Sequence, residues 1–207
     1  MIKQEKSIPF KKNNLLSLTI KKELFRKTIH MSSAFIPFFY YLYDQLVTIF
    51  ILFITFIYFL SEVMRFKNIR LPIITRITEL AARSRDEGKV VLGPITLTLG
   101  IFLALVMFDY RTATISIFAL SFGDGVASLF GKIIRGPKIP FTFGKTFSGT
   151  LGSMLLLIAV FYGCGLNLNQ AIIIALFSSF IEAFPTGDFD NLIIPVATGF
   201  FAKNLII

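Results

Sequence analysis

The sequence predicts an all-α integral membrane protein with about seven transmembrane helices, a cytoplasmic N-terminus and one amphipathic helix on the cytoplasmic face. Of its 207 residues 55% are hydrophobic, mean hydropathy is +0.75, and several apolar runs approach the length that spans about 30 Å of hydrocarbon. The 21 Lys and Arg residues outnumber the 12 Asp and Glu residues and cluster between the apolar runs. This clustering is typical of cytoplasmic loops rather than of a nucleic-acid-binding protein.

A basic arm and a single transmembrane domain make up the predicted organisation. Residues 1–27 carry eight Lys or Arg residues and are interpreted as a cytoplasmic arm, with an interfacial helix over Leu15–Phe25. Residues 28–207 form the transmembrane domain, in which residues 72–87 place Ile and Leu at the spacing of an amphipathic surface helix. The seven spans are expected at about residues 28–43, 46–64, 91–108, 112–131, 148–164, 170–184 and 191–202.

The distribution of cations predicts the orientation of these spans. The arm carries eight cations, residues 65–89 carry seven and residues 132–147 carry four, so 19 of the 21 lie on one side of the predicted topology. By the positive-inside rule this side is the cytoplasm. The single cysteine, Cys164, excludes an internal disulfide and offers no metal cluster. The first apolar run lies too far from Met1 for a signal peptide.

With this topology, most ionisable residues of the spans lie at the cytoplasmic ends of the helices. Charged side chains within membrane helices are costly and usually functional. A nucleoside triphosphate needs cations and backbone N–H donors, and its Mg²⁺ needs carboxylate oxygens, so such a layer suits phosphoryl transfer. The layer contains Arg26, Lys27, His30, Glu62, Arg65, Lys89, Asp124, Lys145, Thr146, Glu182, Asp188, Asp190 and Asn191.

The stretch of residues 122–152 is the most specific part of this layer. Asp124 lies in the inner part of the fourth span and is followed by a glycine-rich basic loop. Lys145 stands just before the fifth span, whose first N–H groups, near Ser148 and Gly149, would face a phosphate. The residues leave open whether Asp124 holds the metal or accepts the proton of the acceptor hydroxyl.

Simpler structural roles are open for several of these residues. The glycines of the fourth span can serve close helix packing, and loop cations such as Arg135 can serve as membrane anchors. Glu62 and Arg65, three residues apart, can form an interfacial ion pair. His30 is more typical of a packed histidine than of a catalytic base.

Several motifs occur in order along the chain. They are ELFRKTIH at Glu23–His30, SEVMR at Ser61–Arg65, KVVLGPI at Lys89–Ile95, GDGVASLFGKIIRG at Gly123–Gly136, KIPFTFGKTFSGTLG at residues 138–152, and EAFP with DFDN between Glu182 and Asn191. With these motifs the sequence resembles the polyprenol kinase family, which includes dolichol kinase, phytol kinase and the CTP-dependent diacylglycerol kinase. The resemblance covers Glu23 to about Thr198.

The resemblance implies an integral-membrane kinase that transfers the γ-phosphate of a nucleotide, usually CTP, to a lipid alcohol, with its Mg²⁺ site facing the cytoplasm. Two departures are Ser128, where many relatives have an acid, and Ser148, where they often have Ala or Glu. The short chain looks like a minimal, prokaryotic plasma-membrane member. By position, the resemblance assigns the nucleotide site to Asp124, Gly131, Gly136, Lys145, Thr146 and Gly149. It assigns a basic pair to Arg26 and Lys27, and an Asp-Asn pair to Asp190 and Asn191.

The sequence is therefore interpreted as a CTP-dependent lipid alcohol kinase, with Asp124 and Lys145 as catalytic residues. The expected partners are the lipid alcohol, the nucleotide and membrane lipids, but no nucleic acid. The alternatives are a CTP-dependent lipid-phosphate cytidylyltransferase and a non-enzymatic small transporter. The expected nucleotide ligands are Arg26, Lys27, Lys89, Gly131, Lys132, Gly136, Thr146, Ser148 and Gly149, the expected metal ligands are Asp124, Glu62, Glu182 and Asp190, and the further site residues are Arg65, Asp188 and Asn191.

Overall fold

The computed structural model describes residues 9–82, 86, 88–134, 136–142, 144–184 and 186–206, with side chains from residue 21 onward. Residues 1–8 of the predicted arm, Arg135 and most of residues 83–87 lie outside this part. In the described part the secondary structure is helical and contains no strand, which confirms the predicted all-α class. The helices are α1 (Pro9–Ser32), α2 (Ile36–Leu42), α3 (Asp44–Phe66), α4 (Pro72–Ala81), α5 (Gly93–Met107), α6 (Tyr110–Phe118), α7 (Gly125–Ile133), α8 (Phe147–Gly163), α9 (Leu168–Ala183) and α10 (Asp190–Ile206).

Five of the predicted spans agree with helices to within two residues at each end, namely α3, α5, the continuous helix Tyr110–Ile133, α8 and α9. The first predicted span differs, because α1 runs through the predicted boundary at residue 27 and ends at Ser32. A 3₁₀ turn, Ser33–Phe35, then leads into α2. Pro37 lies in the first turn of α2, where its missing N–H costs no helical hydrogen bond.

The helix Tyr110–Ile133 is the centre of the bundle. It combines α6, a π-helical turn (Ala119–Asp124) and α7, and two thirds of its most apolar window is buried (67%), against 22% for α3 at the periphery. Its side chains Ile115, Ile117 and Leu120 are fully buried. This helix and α3 are long and apolar enough to cross a membrane, whereas α5, α8 and α9 are apolar but shorter. The seven-span arrangement and its orientation stay predictions.

Four helix ends meet at one end of the bundle, which we call the turn end. Arg111, at the start of α6, donates to the Gly165 carbonyl at 2.8 Å, next to the start of α9. The Tyr41 ring, at the end of α2, lies 5.5 Å from the Tyr110 ring. Gln170 donates to the carbonyl of Leu205, at the end of α10. The opposite ends of these helices therefore also share one end of the bundle.

Helix α4 is the amphipathic helix that the sequence predicts, although it ends at Ala81. Its threonines Thr75 and Thr78 are buried, and Thr78 Oγ1 donates to the Tyr58 hydroxyl at 3.3 Å. Ile73 and Ile77 point outward instead, with 77% and 44% of their surface exposed. An outward apolar stripe is typical of a helix that lies in a membrane interface.

Candidate active site

A cavity of about 350 Å³ opens at the end of the bundle opposite the turn end. Its walls come from α1, from the π-helical turn and α7, and from the start of α8, the end of α9 and the start of α10. Helices that are distant in sequence therefore place charged groups around one space. The lining residues are Glu23, Arg26, Lys27, Asp124, Ala127, Ser128, Gly131, Lys132, Gly144, Lys145, Thr146, Gly149, Thr150, Glu182, Phe184, Gly187 and Asp190.

A buried ion pair joins α1 to the π-helical turn. Lys27 Nζ donates to Asp124 Oδ2 at 2.6 Å and to the Asp124 carbonyl at 2.9 Å. The two side chains are only 3% and 10% exposed. One turn further along α1, His30 Nδ1 lies 3.8 Å from the same carboxylate oxygen. A buried charge requires a partner, so Lys27 allows Asp124 to stay at the base of the cavity.

A second ion pair joins the start of α8 to the end of α9. Lys145 Nζ lies 2.9 Å from Glu182 Oε1 and also donates to the Glu182 carbonyl. The Glu182 side chain is 4% exposed, and its second oxygen, Oε2, is buried with no hydrogen-bond partner among the described residues. An unpaired buried carboxylate oxygen is costly, which indicates a position that a ligand would satisfy.

A third group of contacts, which the sequence analysis missed, centres on Glu23 of α1. Glu23 Oε1 accepts from Arg26 at 3.0 Å and from the Ser128 hydroxyl at 2.7 Å, while Oε2 lies 2.7 Å from Lys132 Nζ. Burial alone would raise the pKa of Glu23, but its hydrogen bonds to Lys132 and Ser128 and the Arg26 charge outweigh burial and lower the pKa to about 2. The available signal was an isolated acid in the basic motif ELFRKTIH.

The connection between α7 and α8 holds Lys145 in place. Lys138 and Thr146 form an antiparallel bridge, in which the Ile139 N–H donates to the Lys145 carbonyl at 2.8 Å. Thr146 then caps α8, because its hydroxyl accepts from the Gly149 N–H at 3.2 Å. The cap and the bridge fix the backbone on both sides of Lys145.

The glycines of this region form a close contact between α7 and α8. A Cβ on Gly131 would meet the Thr146 hydroxyl, and one on Gly149 would overlap the Ala127 carbonyl. A Cβ on Gly136 would lie 2.7 Å from the Ser148 hydroxyl, which itself donates to the Ile134 carbonyl. Gly131 and Gly149 also line the cavity, whereas Gly136 and Ser148 do not. The packing role that the sequence left open for the glycines of the fourth span is therefore present for Gly131, and the same close packing extends to Gly136 and Gly149.

Besides Gly136 and Ser148, the predicted site residues Glu62, Arg65 and Lys89 lie outside the cavity. Arg65 makes a two-point contact with Glu62, at 2.9 and 2.7 Å, and donates to the Lys89 carbonyl at 2.7 Å. Glu62 also accepts from the Val91 N–H at 3.0 Å and is 1% exposed. These contacts connect the end of α3 to the segment before α5, which is the ion pair that the sequence left as an alternative.

Two further predicted residues line a neighbouring cavity of about 50 Å³, between α1, α5 and α10. They are Asp188 and Asn191, and they share this cavity with Arg26 and His30. Asn191 Nδ2 also donates to the Gly93 carbonyl at 3.1 Å. Asn191 therefore connects α10 to α5 next to the larger cavity.

Carboxylates in the larger cavity are suitable ligands for Mg²⁺, which prefers oxygen donors and retains waters or phosphate oxygens as its other ligands. In the part of the chain that the structure describes, no three His, Cys, Asp or Glu side chains form a metal-binding group by themselves. Asp124, Glu182 and Asp190 nevertheless line one space, and Glu182 Oε2 has no hydrogen-bond partner among the residues that the structure describes. These residues fit a cation that arrives with a phosphate.

The fold and the cavity together define an all-helical, strongly apolar protein with paired charges at one end of its bundle. Two curated plant proteins are similar to it. The chain is 25% identical over 150 residues to "Probable phytol kinase 1, chloroplastic" of Oryza sativa subsp. japonica, and 27% identical over 135 residues to "Probable phytol kinase 3, chloroplastic" of Glycine max. The matches cover 63% and 56% of this chain but only 48% and 42% of the relatives, so the chain spans about half of their length. No protein-family model and no solved structure matches the chain.

Proposed function

We propose that the protein is a membrane-embedded kinase that transfers the γ-phosphate of CTP, bound with Mg²⁺, to the hydroxyl of a lipid alcohol. The observation that carries this proposal is the cavity in which Lys27, Lys145 and Arg26 converge with buried carboxylates at one end of an apolar bundle. The similarity to two proteins named phytol kinases supports the same reaction. The exposed Phe and Leu side chains of α2 and α3 are suited to lipid contact.

The two ion pairs suggest how the nucleotide enters. The cavity is internally neutralised by Lys27 with Asp124 and by Lys145 with Glu182. A triphosphate would draw the lysines toward its oxygens, and the released carboxylates would be left unpaired unless a cation arrived with it. We therefore expect nucleotide and Mg²⁺ to bind together, each weakly without the other.

Each group then has a defined role in the transfer. Lys145 and Lys27 hold the phosphates, and Glu182 and Asp190 would hold the metal. Mg²⁺, when bound, supplies charge neutralisation at the phosphate oxygens. The lipid hydroxyl oxygen attacks the γ-phosphorus, the bond from this phosphorus to the β–γ bridging oxygen breaks, and CDP leaves. The hydroxyl proton passes to the Asp124 carboxylate, which Lys27 releases when it turns to the phosphates.

The membrane location and orientation belong to the same proposal. The charged end of the bundle faces the cytoplasm of a prokaryotic cell, as the distribution of 19 of 21 cations favours. The lipid enters laterally, with its hydroxyl at the cavity and its chain among apolar helices. The nucleotide enters from the aqueous side.

The test uses the full-length protein in liposomes with CTP or ATP labelled at the γ-phosphate and a panel of phytol, polyprenols and diacylglycerol. A labelled lipid monophosphate with release of CDP is expected, and CTP should support turnover at least about tenfold better than ATP, about 1.4 kcal/mol in transition-state binding. Asp124→Asn should abolish the product and Lys138→Ala should not.

Formation of a CDP-lipid with release of pyrophosphate would establish the cytidylyltransferase alternative instead. No lipid product with any acceptor would contradict the proposed function, and equal use of both nucleotides would remove only the preference for CTP.

A further inference from the structure

Glu23 lies where α1 meets α7, at the wall of the larger cavity. Its carboxylate contacts Arg26 on its own helix and Ser128 and Lys132 on α7. Ser128 and Lys132 are four residues apart, so they lie on one face of α7. Both carboxylate oxygens are therefore engaged, and two of the three partners are cations that also line the cavity.

We propose that Glu23 is a positioning residue for nucleotide binding, which holds Lys132 and Arg26 in the orientation that receives the phosphates. This proposal rests on the proposed function.

The physical reason is the conformational freedom of the Lys132 side chain. Its side chain is 50% exposed, whereas Glu23 is 21% exposed. A half-exposed lysine without a partner loses conformational entropy when a ligand orders it. A contact with Glu23 restricts Lys132 beforehand at the cavity wall, and the lysine keeps donors available, because its ammonium has three N–H groups.

A second function of the same carboxylate is to limit repulsion. Lys132 and Arg26 would otherwise be two like charges at one wall of the cavity. The hydrogen bonds that hold the Glu23 pKa far below neutral keep this residue ionised at every physiological pH. The cluster therefore offers an anion two oriented cations without requiring Glu23 to change its protonation.

A purely structural connection between α1 and α7 would predict a different outcome, and a double-mutant cycle separates the two. Binding of the β,γ-methylene analogue of CTP, with Mg²⁺, is measured on the full-length protein in liposomes. Lys132→Met should weaken binding about tenfold in the wild type, the loss of one charge-assisted contact. In a Glu23→Gln background the same change should weaken binding less than about twofold, because Lys132 is no longer held.

Lys145→Ala provides the matched control, since Glu182 holds Lys145 on the other side of the cavity. Its effect on affinity should be the same in the wild type and in Glu23→Gln. An equal effect of Lys132→Met in both backgrounds would overturn the positioning role. A loss of the Lys145→Ala effect in Glu23→Gln would also overturn it, because that result would indicate a general loosening of the site.

If Glu23→Gln does not fold, the cycle is repeated with Glu23→Asp, whose shorter side chain keeps the charge but cannot span its three partners. The same non-additivity is expected. No binding to the wild type would contradict the proposed function itself, whereas binding with an additive cycle would contradict only the role of Glu23.

Discussion

Lys27 and Asp124 are 97 residues apart in sequence, yet their charged atoms lie 2.6 Å apart in a buried pair. The sequence assigns one to phosphate binding and the other to the metal or the proton. The structure shows that each is the other's partner. The proposed function therefore assigns activity to two residues that also form a buried ion pair, and variants must be chosen to separate the effect on activity from the effect on stability.

We predict that Asp124→Asn lowers turnover at least about 100-fold and also destabilises the protein by about 3 kcal/mol, because Lys27 is left as an unpaired buried charge. The double variant Lys27→Met with Asp124→Leu should restore the thermal midpoint but not turnover, since an apolar pair removes the unpaired charge. Thermal unfolding and initial rates in the same liposomes measure both. Turnover near the wild-type value in either variant would contradict the assignment.

We predict that Lys145→Ala weakens nucleotide binding about tenfold, whereas Lys138→Ala leaves it unchanged. Both lysines belong to the connection between α7 and α8, but Lys145 lines the cavity and Lys138 is exposed outside it. Competition with a fluorescent nucleotide gives the two affinities. Equal affinities for the two variants would remove Lys145 from the nucleotide site.

We predict that the cavity end faces the cytoplasm and the turn end faces outward, because the cations cluster beside the cavity end. Single cysteines in a Cys164→Ser background, treated with an impermeant thiol reagent in intact cells, test this orientation. Cysteines at Gln45 and Asn169 should react, whereas those at Lys67 and Lys138 should react only after the cells are opened. The reverse pattern would invert the topology.

We predict that the cap of α6 makes stability depend on pH. The hydrogen bonds from Thr112 hold the pKa of Asp109 below its usual 3.8, so the cap stabilises the fold above that pH and loses its effect as the pH falls through the lower, folded-state value. Asp109→Ala should cost about 1 kcal/mol at neutral pH and progressively less in acid. Asn167, which caps α9 without a titrating group, is the control, and Asn167→Ala should show a loss independent of pH. A constant loss for Asp109→Ala would contradict the prediction.

The helices of this protein could be located from the sequence because the signal is local. The apolar runs predicted α3, α5, α8 and α9 to within two residues, since an apolar run bounded by charges or turn residues determines where a helix can lie. The spacing of apolar residues also predicted helix α4, but not which of its faces packs against the bundle, because the burial of Thr78 against Tyr58 is a tertiary contact.

The candidate site could be predicted only in part. The sequence placed Asp124, Lys145 and Glu182 at one depth, because charge is confined to helix ends in an apolar chain. It could not show that the Glu62 carboxylate accepts hydrogen bonds from Arg65 and from the Val91 N–H. Depth along a helix follows from position in the sequence, but direction around the helix depends on its neighbours.

By itself the sequence determined that this is an apolar helical chain whose charges gather at one end. Only the tertiary structure decided that Lys27 contacts Asp124, that Lys145 contacts Glu182, and that Glu23 joins α1 to α7. The physical reason is that a buried charge requires a partner within hydrogen-bond distance, and for a residue on one helix that partner comes from whichever helix packs against it.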